Sequence, residues 1–166
     1  MSASPPQAAP TRLRRTGALT PQGLDEAMIR RVVDHFYARA REDDLIGPVF
    51  RNAVPDDRWQ AHLDTIADFW SSMLLGSGRY KGRPMPKHFA LTEIGDAHFK
   101  RWLALFRMTV NDICPPDIAA LFIERSERVG NSFRLNIRLH RGDDLVHLEP
   151  LEREELPPRV EPGENF

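Results

Sequence analysis

The sequence predicts an all-α domain, and three observations carry that reading. Apolar residues recur at helical spacing through the middle of the chain, no segment shows the sustained alternation of a half-buried strand, and proline or glycine punctuates each periodic stretch. The chain has 166 residues and is 41% hydrophobic, enough for one compact domain with an apolar core.

The first helix is announced by Thr20-Pro21, a capping residue followed by a first-turn proline. Its stripe is Met28, Ile29, Val32, Val33, Phe36, Tyr37 and Ala40, and it is expected to stop before Gly47-Pro48. The second begins near Pro55-Asp56-Asp57, runs through Trp59, His62, Leu63, Ile66, Phe69, Trp70 and Met73, and ends at Gly76. Glycines and prolines then crowd between Gly76 and Pro86, which predicts an irregular connection leading to His88-Phe89. A third helix is expected from about Gly95 to Ile113, closed by Pro115-Pro116. The fourth starts with Asp117 as its cap and carries Ile118, Leu121, Phe122, Arg125, Val129, Phe133 and Ile137 to about His140.

Three segments follow from composition. Residues 1–19, rich in Ala, Pro and Ser with three Arg and no acid, read as a disordered N-terminal tail; residues 20–141 form the helical domain. Residues 142–166 hold eight acids against two Arg, with four prolines, and read as a mobile acidic C-terminal tail.

Charge and cysteine content exclude several classes of function. With 23 Lys and Arg against 24 Asp and Glu, nothing favours nucleic acid or an anionic membrane as partner. No apolar run approaches the roughly 20 residues needed to span a bilayer. Arg14-Arg15 is not followed by the apolar stretch of an export signal, and Cys114 is the single cysteine, so a cytoplasmic protein is expected. Cys114 itself reads as a buried or helix-end thiol.

Six histidines remain. His35, His98, His140 and His147 read as surface or helix-end residues. His62 shares a helix face with Trp59, Ile66, Phe69 and Met73, where a polar ring needs a partner or a ligand; pattern alone favours a hydrogen-bonded core histidine. His88, directly after Gly82-Arg83-Pro84-Met85-Pro86-Lys87, stands open between a loop residue and an inward-aimed ligand. Zinc would want paired cysteines or an H-E-x-x-H helix, and a di-iron bundle would want inward Glu-x-x-His motifs; neither is present. Haem asks less: one axial histidine, an apolar slot, aromatics and a few polar groups on the open side. Tyr37 and Trp102 each carry a polar tip among such aromatics.

Ordered blocks sharpen this. His35-Phe36-Tyr37, Ile46 to Phe50, Phe69 to Gly76, Tyr80 to Pro84, Pro86-Lys87-His88 and Phe99 to Phe106 together resemble the group III truncated haemoglobins across about residues 24–140. The resemblance implies a truncated-globin two-over-two helical sandwich around one haem b per chain. It implies His88 as proximal iron ligand, Tyr37 as distal tyrosine, His62 as gating distal histidine and Trp102 as the tryptophan facing the ligand. Phe50, Ile66, Phe69 and Trp70 match apolar positions that border or support the haem. Tyr80, Arg83 and Lys87 are candidates for the propionates.

Such a protein is expected to bind O2, CO or NO reversibly at a five-coordinate iron. If Tyr37 and Trp102 both donate to the ligand, each contact contributes about 1.5–3 kcal/mol. Release then slows by orders of magnitude, since about 1.4 kcal/mol is a factor of ten. This favours NO dioxygenase-like or peroxidase-like chemistry, fed by an unidentified electron donor, over oxygen transport. A peroxidase would want a carboxylate behind His88, and none adjoins it, with Glu93 and Asp96 the nearest acids in sequence. The alternative is a haemless helical-bundle interaction module in which these residues only pack.

Overall fold

The structure is a computed structural model that describes residues 20–151 and 153–156. Among the described residues it is all helical: α1 (Glu26–Glu42), α2 (Gly47–Ala53), α3 (Trp59–Leu75), α4 (Met85–Phe89), α5 (Asp96–Ile113) and α6 (Pro116–Arg141). The N-terminal tail expected over residues 1–19 lies outside them.

α1 begins later than Thr20-Pro21 suggests, because Asp25 is the better cap: its carboxylate accepts the Met28 N–H at 2.8 Å. Ile29, Val32, Val33, Phe36, Tyr37 and Ala40 are all buried, so the stripe read from sequence is the inward face. The helix ends at Asp43, whose side chain accepts the Leu45 and Ile46 N–H groups at 2.9 and 3.0 Å and so turns the chain into α2. Gly47-Pro48, read as a stop, therefore opens another helix. The proline sits in its first turn, where no N–H is missed. A side chain at Gly47 would stand 2.6 Å from the Arg41 carbonyl, so only glycine lets α2 fold back this closely.

A single 3-10 turn at Asp56–Arg58 leads into α3, which closes on Gly76 in the left-handed conformation at φ 66°. After the irregular segment comes α4, only five residues long. Pro115 and Pro116 separate α5 from α6, Pro116 taking the first helical position, so the cap is Pro115 and not Asp117.

α1 packs on α3 and α5 packs on α6, and the contact of α1 with α5 lays one pair over the other. The seam is aromatic. The Trp70 and Phe106 rings stack with centroids 5.1 Å apart, Phe36 meets Phe106 edge-on at 5.1 Å, and Phe122 closes the far side. All four side chains are almost wholly excluded from solvent. Their burial stabilises each pair by about 0.5–1.5 kcal/mol beyond the area removed from water. α2 lies on α1, and α4 lies on α6.

Of the C-terminal segment, residues 142–151 and 153–156 are described, and these lie against the domain; 157–166 of the expected tail lie outside the described residues. Arg101 binds Glu154 through two nitrogens at 2.9 and 3.0 Å, Arg107 donates to the Glu154 carbonyl at 3.1 Å, and Arg134 donates to the Glu149 carbonyl at 2.8 Å. Leu156 packs against the core. Acidic composition suggested solvation, but arginines on α5 and α6 give those acids and carbonyls a place to dock. None of the described helices is long and apolar enough to cross a membrane.

Candidate functional site

The sandwich gathers the candidate residues from four helices. Tyr37 comes from α1, Phe50 from α2, Trp59 and His62 from α3, and Trp102 from α5. The Tyr37 ring meets Phe50 edge-on at 5.6 Å, His62 at 6.2 Å and Trp59 at 6.4 Å. Burial pushes the Tyr37 phenol well above its ordinary range, so it stays protonated, and the Trp102 side chain offsets part of that rise. An indole has only a donor to offer, so it is the Trp102 N–H that acts on the phenol.

His62 is half-buried, and its Nε2 is buried with no hydrogen-bond partner. A buried imidazole nitrogen of this kind costs stability unless something is meant to occupy its neighbourhood. Burial lowers its pKa, and the charges of Lys87 and His88 lower it further, which brings the two histidines within electrostatic reach of each other. The hydrogen-bonded core histidine that pattern alone favoured is therefore not what the fold supplies at Nε2.

His88 is carried by α4. Its Nδ1–H donates to the Pro84 carbonyl at 2.7 Å, one helical turn earlier. This fixes the tautomer: the proton is on Nδ1, and the Nε2 lone pair is left for a ligand. The Phe133 ring of α6 meets the imidazole edge-on at 4.6 Å. Among the described residues the partner of its Nδ1 is the Pro84 carbonyl and not a carboxylate. Asp96 is held instead by Arg134 and Arg138, at 2.8–3.0 Å from their nearest nitrogens, and these hydrogen bonds keep its carboxyl down at about 2.

Ile66 and Phe69 stand half-buried on α3, packed against the core. Phe69 meets Tyr80 edge-on at 5.3 Å, and the Tyr80 N–H donates to Ser72 Oγ at 2.8 Å. Trp70, in contrast, is 1% exposed and belongs to the seam of the sandwich. Arg83 and Lys87 are exposed and have no ion-pair partner among the described residues. Two contributors stood in the sequence without a role there. Phe133 was one residue of an apolar stripe, and Trp59, which touches Tyr37, Phe50 and His62, carries the Arg41 guanidinium 4.5 Å above its ring.

Residues 22–124 match the sequence profile of the bacterial-like globin family. The chain belongs to that family. It is 31% identical over 113 residues to the group 3 truncated hemoglobin ctb of Campylobacter jejuni, an alignment spanning 67% of this chain and 89% of that protein. It also superposes on the crystal structure of the group III truncated hemoglobin from Campylobacter jejuni with a TM-score of 0.66, at 29% sequence identity, over 71% of this chain and 94% of that one. The fold is thus the truncated-globin sandwich that the sequence blocks imply, and haem-based gas binding is the general property of the family.

The histidines of this globin make a pH test of its haem-free form. Burial lowers the pKa of both His62 and His88 below the usual value of 6.5. As pH falls through about 6.5, the unfolded chain takes up protons that the folded chain refuses. Stability must then fall with pH. Urea midpoints of the haem-free protein are expected to drop between about pH 7.5 and pH 5.5, and to drop less in His62→Leu. Asp96 does not contribute in that window, because its stabilisation, present above 3.8, is lost only as pH falls towards about 2. A midpoint independent of pH across the window would show that neither imidazole is desolvated.

Proposed function

We propose that the chain holds one haem b through His88 Nε2 and binds O2, CO or NO near Tyr37 and His62. The observation that carries this is the pairing of two imidazole nitrogens. His88 Nε2 is set free by the hydrogen bond from Nδ1 to Pro84, and the buried His62 Nε2 within its electrostatic reach has no partner. The half-buried side chains of Phe50, Ile66, Phe69 and Trp102 supply apolar surface suited to a porphyrin face, and exposed Arg83 and Lys87, with Tyr80, suit its carboxylates. The residues therefore fit the group. Bound there, haem supplies an iron with one coordination position left open for a diatomic ligand.

The protein's own groups then decide what such a ligand meets. Tyr37 presents a protonated hydroxyl, and the Trp102 indole N–H acts on it, so both supply donors for a ligand that carries negative charge. His62 is held neutral by burial, so it adds no charge to the pocket. The backbone carbonyl behind His88 makes the imidazole less basic than a carboxylate partner would. This removes an aid to peroxide cleavage and leaves NO dioxygenase-like chemistry as the favoured turnover. It requires an electron donor, and the cytoplasm is the compartment this reading implies.

The test is an absorption spectrum of the purified protein, ferric and then reduced under CO. A Soret band that shifts sharply with CO supports the reading. Absence of such a band after haem is supplied in excess sinks it and promotes the haemless interaction module.

A further inference from the structure

α4 is too short to hold its own direction: five residues cannot offset the cost of nucleating a helix. Its neighbour on the structure is α6, and the contacts come from one face of that helix. Phe133 meets His88 edge-on at 4.6 Å, Ile137 is buried, and the His140 ring lies parallel to Phe89, 4.1 Å away at 4°. Arg141 completes the face, since positions 133, 137, 140 and 141 fall on one side of a helix.

Arg141 does something the rings do not. Its Nη1 donates to the Ile94 carbonyl at 2.7 Å, and its Nη2 donates to the Leu91 and Thr92 carbonyls at 3.0 and 3.1 Å. These are carbonyls of the turn that follows α4 and its cap Ala90, and the Leu91 carbonyl also accepts the Ile94 N–H at 3.4 Å. The same turn is tied back to His88, whose carbonyl accepts the Leu91 N–H at 3.1 Å. The guanidinium thus grips the segment one residue beyond the bond that ends at His88. Pro84 grips the imidazole itself on the other side.

We propose that Arg141 is a positioning residue for His88: by clamping the carbonyls of residues 91, 92 and 94 it sets the direction of α4 and hence the aim of the imidazole Nε2. This rests on the reading of His88 as the iron ligand. A fork with several N–H groups suits three converging carbonyls; a lysine ammonium is a point donor on a flexible stem.

The experiment compares haem-loaded wild type, Arg141→Ala and Arg141→Lys. Three quantities are read: the iron–histidine stretching band in the ferrous Raman spectrum, haem loss to excess apomyoglobin, and the urea midpoint of the haem-free form. Arg141→Ala is expected to broaden or shift the band and to release haem about tenfold faster, the low end of what outer partners of a metal ligand cost. The urea midpoint of its haem-free form should stay near wild type, because Arg141 is solvent-exposed. Arg141→Lys should fall between the two. In a His88→Gly background with imidazole supplied, the ligand is no longer tethered to α4, and Arg141→Ala should then leave the band unchanged. An unaltered band in Arg141→Ala with a normal wild-type band overturns this proposal alone. A shift that persists with untethered imidazole also overturns it, since the effect would not run through α4. A wild-type protein without an iron–histidine band overturns the His88 reading and this proposal together.

Discussion

His88→Ala is expected to abolish the ferrous and CO-bound absorption bands of a histidine-ligated haem while leaving the helical content intact. The fold does not depend on this side chain. It stands half-buried on a five-residue helix, away from the Trp70, Phe106 and Phe122 seam that holds the two helix pairs together. The haem would depend on it: among the described residues the other imidazole near the site is His62, held within reach of Tyr37 and Trp59. Loss of the ligand should exceed the roughly 10- to 100-fold cost of disturbing a ligand's outer partner. Imidazole added to the variant should restore the bands. Far-UV circular dichroism checks the fold and absorption checks the haem. A variant that keeps the wild-type spectrum would remove His88 from the iron.

Tyr37→Phe is expected to speed O2 release by about tenfold to a hundredfold, the equivalent of losing one charge-assisted hydrogen bond of about 1.5–3 kcal/mol. CO, which carries less negative charge and accepts hydrogen bonds poorly, should be affected far less. The Trp102 indole, which acts on the phenol, gives a sharper test. We expect its N–H to donate to the Tyr37 oxygen, so that its contribution passes through the phenol. Trp102→Phe alone should therefore speed release by a smaller factor, and the double variant should match Tyr37→Phe alone. If the two donors act on the ligand side by side, the factors multiply instead. Stopped-flow displacement of O2 in the four proteins distinguishes the two, as a double-mutant cycle does for any coupled pair.

Much of the scaffold could be read in the chain. Val32, Val33, Phe36 and Tyr37, then Leu63 and Trp70, then Phe106 and Val110, then Ile118 and Phe122 are buried as their helical spacing demands. Gly76 and Pro115-Pro116 mark helix ends because a left-handed cap and a missing N–H act within a few residues of chain. Where two local signals competed, the reading slipped. Thr20-Pro21 looked like a helix start, but Asp25 lies closer to the first buried residue of α1, Ile29, and takes the cap. Gly47-Pro48 looked like a stop, yet Asp43 turns the chain just before it and the proline begins α2.

The site divides in the same way. Tyr37, His62, His88 and Trp102 stand out in the sequence because polar tips on apolar faces need partners, and the ordered family blocks give their positions meaning. Which partners they have is a matter of distant chain segments meeting. Tyr37 meets Phe50 and His62, His88 meets Phe133, and Asp96 is held by two arginines of α6. Residues 142–156 show the point most plainly. Their acids read as a solvated tail because composition carries no record of Arg101 and Arg107 on α5. The sequence by itself determined the four long helices, most of their inward faces and the family, since periodicity is local. Only the tertiary structure decided the rings around Tyr37, Phe133 against His88 and the hydrogen bonds of Arg141, since a contact belongs to whichever groups the packed helices bring together.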